Sequence, residues 1–161
     1  MNLYEKALEL FPKLSRDLGY KENFGGGDGF LEFYPADEQD NPFPGKPSVQ
    51  VFNPETRPED VAGDIVSHHM IDNDPVIGEA YRRFLMSMRP FQQKILQDQY
   101  QHAVTNSGEQ RPFEKWAEMT GQPGYFRGYT FGQWPAEFNK KAYTDDQRGL
   151  LNGVVNYLRG R

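Results

Sequence analysis

Twelve prolines divide this chain of 161 residues into short segments, and their positions limit where helices and strands can lie. Proline lacks a backbone N–H, so it is accepted in the first turn of a helix and interrupts a helix interior. Four prolines between residues 35 and 47 indicate a surface loop. The prolines that interrupt or start helical patterns are Pro12, Pro58, Pro75, Pro90 and Pro112.

The first eighteen residues carry an apolar stripe with helical spacing. Its members lie three or four residues apart: Leu3, Ala7, Leu10, Leu14 and Leu18. This pattern predicts an N-terminal helix within residues 1–19, kinked or split at Pro12. Gly19 stands where the C-terminal cap of such a helix is expected.

A glycine-rich loop at residues 25–29 separates this helix from two predicted strands. Residues 30–34 and 48–52 are rich in aromatic and β-branched side chains, which favour strands. Their connection is longer than ten residues, which excludes a tight hairpin. The interval 30–52 therefore predicts a strand pair.

The remainder, residues 56–161, is predicted to be helical. Thr56 and Glu59 have the spacing of a capping box, with Pro58 in the first turn, and predict a helix over 57–71. Further helices are predicted over 73–88, 92–104, 113–120 and 144–159, the last capped by Thr144 with Gln147. The expected fold is a single α+β domain over 1–161, helix-dominant. It has an N-terminal helix, a small two-stranded or few-stranded sheet, and then about five helices.

Composition excludes several classes of protein. The chain has no cysteine, which removes disulfide scaffolds and thiolate sites, and no apolar run long enough to cross a membrane. Its net charge is −5, from 18 basic and 23 acidic residues, and argues against a nucleic-acid partner. The N-terminus lacks a basic stretch followed by an apolar run, which predicts a cytoplasmic location.

Two adjacent histidines, His68 and His69, mark the stretch most suited to chemistry. Asp64, His68 and Asp72 are spaced four apart, so a helix places them on one face. Imidazole and carboxylate groups on one helix face are candidate ligands for a divalent metal such as zinc. His102 completes such a site if its helix crosses this face. The alternative is structural, in which Asp64 and His68 pair and the histidines interact with the helix dipole.

Residues 124–135 contain five aromatic side chains and one arginine. Tyrosine, tryptophan and arginine are enriched in interface hot spots, so this segment is a candidate surface for binding a protein. The alternative is that the same aromatic side chains pack against the core. The candidate partner-binding residues are Tyr125, Arg127, Tyr129 and Trp134.

The order from Phe30 to Pro75 is strand, loop, strand and capped helix, and it resembles zincin-like modules, in which a strand precedes the metal-binding helix. Zincins carry His-Glu-x-x-His on that helix. Here only His68 matches a ligand position, and Asp64 or Asp72 would substitute for the second histidine. The resemblance implies either a rearranged metal site or one that has lost its metal.

A second resemblance covers most of residues 30–160. It rests on Gly63-Asp64-x-x-Ser67-His68, on Tyr81-x-x-Phe84 and on the block from Tyr125 to Tyr129. These strings are similar to uncharacterised proteins of phages and prophages, some of them parts of large polyvalent proteins. The resemblance implies a phage or mobile-element protein in the host cytoplasm.

Two functions are therefore expected. The first is a non-enzymatic protein-interaction module on a zincin-like scaffold, with a host or virion protein as its partner. The alternative is a metal-dependent hydrolase that uses the helix face of Asp64, His68, His69 and Asp72. The first needs no cofactor, and the second needs a divalent metal such as zinc.

Overall fold

A computed structural model describes residues 1–25, 31–87, 90 and 144–161. It is α+β, as predicted, with four helices and a three-stranded sheet in those ranges. One of these helices is interrupted by a π-helical turn. The elements are α1 (Leu3–Leu10), β1 (Gly19–Glu22), β2 (Leu31–Tyr34), β3 (Ser48–Val51), α2 (Pro58–Ile65), the π-helical turn (Val66–Met70), α3 (Ile71–Asn73), α4 (Pro75–Met86) and α5 (Asp145–Leu158).

Helix α1 is shorter than the predicted N-terminal helix. Asn2 caps its start, because its side chain accepts a hydrogen bond from the Glu5 amide at 2.8 Å. Phe11 ends it with φ −131° and ψ 76°, because a residue that precedes proline avoids the α region. The predicted continuation to residue 18 is wrong, although Leu14 and Leu18 are still buried.

The sheet has one strand more than the predicted pair, in the order β1–β3–β2. Strand β3 pairs in parallel with β1 and antiparallel with β2. Gly19 is therefore the first residue of β1 and not a helix cap. A Cβ on Gly19 would lie 2.4 Å from Cγ of Phe43, so only glycine fits at this position. Strand β1 escaped prediction because Lys21 and Glu22 are exposed at the sheet edge and break the apolar pattern.

The long helical stretch begins at Pro58, one residue later than predicted, and its cap is Arg57 and not Thr56. The Arg57 amide donates to Oδ2 of Asp60 at 2.9 Å, so the capping side chain is Asp60 and not Glu59. The Thr56 hydroxyl instead donates to the Asn53 carbonyl at 2.7 Å. The stretch runs through α2, the π-helical turn and α3 to Asn73, which replaces the predicted end at residue 71.

Two later helices follow their predicted positions closely. Oδ1 of Asp74 accepts from the Val76 amide at 2.9 Å and caps α4, which ends at Met86. Thr144 and Gln147 form the predicted capping box at the start of α5. The predicted helices at 92–104 and 113–120 lie outside the described residues.

The core lies between the helices and one face of the sheet. Register places Tyr20, Val49 and Phe33 side by side on that face, where the Tyr20 ring stacks on Tyr4 of α1. Helix α1 packs on α2, and α5 packs on α4. None of the helices in the described ranges is long and apolar enough to span a membrane.

Candidate functional site

The predicted histidines lie in the π-helical turn, Val66–Met70. In a π-helix each amide bonds to the carbonyl five residues earlier, and such single turns inside α-helices are rare and often lie at functional sites. The turn sits between α2, which contains Asp64, and α3, which contains Asp72. The two histidines therefore lie on a distorted part of the helix, and the two carboxylates lie in the regular helix on either side of it.

Asp64 and His68 are close together, as their spacing predicts. Nε2 of His68 lies 3.5 Å from Oδ1 of Asp64. The His68 side chain is 31% exposed and the Asp64 side chain 15% exposed, so the pair lies at the boundary between core and solvent. The pair is a carboxyl and an imidazole in electrostatic contact.

The carboxyl of Asp64 is incompletely bonded. Its Oδ2 is buried and has no hydrogen-bond partner among the residues that the structure describes. Burial, and then the negative charge of Glu32 on β2, raise the pKa of Asp64 to about 7. Near neutral pH this carboxyl is therefore present in both protonated and ionised forms.

Phe33 of β2 holds both histidine rings against the sheet. Its ring stacks on His68 with centroids 5.6 Å apart and planes at 9°, and it meets His69 at 6.1 Å. Phe33 is not among the site residues that the sequence predicts. Side chains alternate between the two faces of β2, and this alternation places Phe33 on the face that packs against the helices. The alternation is the sequence signal that could have identified Phe33.

His69 has partners of its own. Its carbonyl accepts from Nδ2 of Asn73 at 2.9 Å, and its Nδ1 lies 3.3 Å from the same amide nitrogen. Burial lowers the pKa of His69, while the carboxylates of Asp72 and Asp17 act in the opposite direction. Asp72 thus acts electrostatically on His69.

The chain was also compared with protein-family models, with curated proteins and with solved structures. None of them matches it. The resemblances to zincin-like modules and to phage-encoded proteins therefore stay predictions that rest on the residues quoted for them.

The structure describes some of the predicted metal ligands and not others. Asp64 and His68 lie together. Within residues 1–25, 31–87 and 144–161, however, no group of three or more His, Cys, Asp or Glu side chains is arranged to hold a metal ion. The remaining ligands would have to come from elsewhere in the chain. His102, the ligand named from the sequence, lies outside the described residues, as do Tyr125, Arg127, Tyr129 and Trp134.

Proposed function

We propose that this chain is a non-enzymatic protein-interaction module of phage or mobile-element origin. Its partner is a host or virion protein, it acts in the host cytoplasm, and its scaffold is a zincin-like arrangement of strands and helix. The proposal rests on two observations. One is the resemblance of residues 30–160 to phage-encoded proteins, and the other is the packing of the two histidines against β2.

One observation carries this proposal. The Phe33 ring lies against both His68 and His69, so the imidazoles serve as packing groups between the helix and β2. Asn73 makes a further contact with His69. Because this face of the helix packs against the sheet, it supports a structural role for the two histidines. Partner binding is then assigned to other residues.

The aromatic segment 124–135 supplies those residues in this proposal. Rigid aromatic rings and arginine give large contact areas at a small loss of conformational entropy.

The test is capture of proteins from an extract of phage-infected host cells. We expect Tyr129→Ala and Trp134→Ala to lose the captured partner while circular dichroism and thermal unfolding stay as in the wild type. Phe24→Ala is the matched control, because Phe24 is an aromatic side chain that is 47% exposed and far from the segment in sequence. Global unfolding of both segment variants would contradict the proposal and favour core packing.

A second function, a metal-dependent hydrolase, is favoured by the chemistry of Asp64. Its buried Oδ2, which lacks a hydrogen-bond partner in the described ranges, lies on the carboxyl that contacts His68. An oxygen and an imidazole nitrogen at this spacing are suitable donors for zinc, with His69, Asp72 or His102 to complete the set.

Elemental analysis of the dialysed protein tests this second function. A metal at one equivalent that disappears in His68→Ala would support it, and a metal that binds the native state raises the melting temperature. Asp37→Asn, an exposed carboxylate outside the helix, is the control that should keep the metal. No bound metal, together with a melting temperature unchanged by zinc, manganese or nickel, would rule it out.

A further inference from the structure

The C-terminal ends of α1 and α5 meet at one corner of the molecule. The Lys13 amide, just after α1, donates to the Leu158 carbonyl at the end of α5, at 2.9 Å. Three exposed cationic side chains belong to this junction: Lys13, Arg16 and Arg159. We refer to these three residues as the basic corner.

The basic corner is not needed to cap α5. The last four carbonyl groups of that helix already accept hydrogen bonds from backbone amides, so the side-chain cations are not required there. The pairs are Val155 with Arg159, Asn156 with Arg161, Tyr157 with Gly160, and Leu158 with Lys13.

The cations of the basic corner also differ from four arginines elsewhere on the surface. None of the three forms an ion pair within residues 1–25, 31–87 and 144–161. Four other arginines of these ranges each pair with a carboxylate one helical turn away. These pairs are Arg57 with Asp60, Arg82 and Arg83 with Glu79, and Arg148 with Asp145.

Aromatic rings lie beneath two of the cations. The Lys13 ammonium lies 5.4 Å from the centroid of the Tyr157 ring, and the Arg159 guanidinium lies 5.7 Å from that of Phe11. A cation on a ring face keeps its charge and can still bind an anion. Asp17 follows Arg16 along the chain, and the Asp74 carboxylate accepts a hydrogen bond from the hydroxyl of Tyr157, the ring on which Lys13 lies. Three cations beside these two carboxylates leave the corner positive.

We propose that the basic corner binds an acidic segment of a partner protein. Arginine binds carboxylates through two parallel hydrogen bonds, and the half-buried Tyr157 ring adds apolar contact area beside them. The basic corner contains none of the residues of the segment 124–135, and the inference shares with the proposed function only that the partner is a protein.

Charge distribution favours a short acidic segment over a nucleic acid. The chain has a net charge of −5, so a long phosphate backbone that leaves the corner would be repelled by the rest of the surface. A short acidic segment needs to contact only the corner itself. Complementary charge at one site accelerates encounter and fixes orientation.

Fluorescence anisotropy with a labelled oligoglutamate peptide tests the inference with the full chain at low salt. We expect binding to the wild type and an affinity about 10-fold lower for Lys13→Glu/Arg159→Glu, because steering by complementary charge contributes at least that much. The matched control is Arg82→Glu/Arg83→Glu, which changes the net charge equally at ion-paired sites and should bind as the wild type does.

Three outcomes would overturn the inference. No binding by the wild type, or equal loss in both double variants, would show that no specific acidic site exists. Tighter binding of duplex DNA than of oligoglutamate would assign the corner to nucleic acid instead.

If Lys13→Glu/Arg159→Glu unfolds, Lys13→Gln/Arg159→Gln replaces it. Trp134→Ala should bind oligoglutamate normally, so failure here is distinguishable from failure of the proposed function.

Discussion

At the scale of single residues, Asp64 makes stability depend on pH. Burial and Glu32 raise its pKa from 3.8 to about 7 in the folded chain, so the native state binds more protons than the unfolded chain between those values. The free energy of unfolding therefore decreases as pH rises across that window. Above the window, protonation of Asp64 no longer contributes to stability. Glu32 is the charged group whose field acts on this carboxyl, and Nε2 of His68 lies 3.5 Å from its Oδ1.

Asp64→Asn removes this titration. At about pH 8 we expect the variant to be more stable than the wild type by on the order of 2 kcal/mol, since one pKa unit corresponds to about 1.4 kcal/mol and the side chain keeps some solvent contact. Towards about pH 4 the difference should narrow, as the wild-type carboxyl becomes neutral. Urea unfolding at both pH values is the measurement, with Asp37→Asn as an exposed control. A variant that is less stable at the higher pH would contradict this account.

Sequence spacing predicted one contact of this site and missed the others. Asp64 and His68 are four apart on a helix, and local geometry alone brings them together. The contacts of Phe33 with the histidines and the field of Glu32 on Asp64 arise because β2 packs against the helix. Contacts between distant segments are set by tertiary packing, which residue spacing does not encode.

At the scale of elements, local signals predicted helix ends and failed for the sheet. Thr144 and Gln147 are three residues apart, so their capping box can be recognised from the sequence alone. Strand β1 depends on pairing with β3, almost thirty residues later, and its own residues are partly polar. The π-helical turn has no recognised sequence signal, so a regular helix was predicted there.

Helix α5 contains two glycines that no contact with the described part of the chain explains. A Cβ on Gly149 or Gly153 would meet no atom of those residues within 4 Å. Glycine in a helix interior costs about 0.5–1 kcal/mol relative to alanine, because it loses more backbone entropy on folding. Gly149→Ala and Gly153→Ala should each raise the free energy of unfolding by about that amount, measured by urea titration.

Gly78 provides the opposite case in α4. A Cβ there would lie 2.8 Å from the carbonyl oxygen of Ile71, which belongs to the backbone and cannot move aside. Gly78→Ala should therefore destabilise the protein by about 1–3 kcal/mol. If Gly78→Ala and Gly149→Ala changed stability in the same direction, the assigned packing of α4 or α5 would be wrong.

At the scale of the whole molecule, α5 connects the C-terminus to elements far earlier in the chain. The Gln147 side chain donates to the Ser87 carbonyl at 3.3 Å, and the Leu158 carbonyl accepts from Lys13. Leu151, Val154 and Leu158 are buried in the common core. These contacts make α5 part of the same folding unit as α1 and α4, and none follows from local sequence.

The hydrogen bond from the Tyr157 hydroxyl to Oδ2 of Asp74 gives the sharpest test of this connection. It spans 2.8 Å between α5 and the residue that caps α4. Tyr157→Phe removes only this bond and should lower stability by about 1 kcal/mol, or about 2–4 °C in melting temperature. The matched control is Tyr20→Phe, whose bond to Glu22 lies within one strand and should contribute less.

The same bond predicts how that difference varies with pH. Hydrogen bonding to Asp74 raises the pKa of Tyr157 above its ordinary value of 10.0, so the bond stabilises the fold fully below that pH. As pH rises through the folded pKa, the phenol ionises beside a carboxylate and the stabilisation is lost. The wild type should therefore exceed Tyr157→Phe in melting temperature near neutrality and lose that advantage in strong alkali. An advantage that persisted there would show that α5 is held to α4 by packing and not by this hydrogen bond.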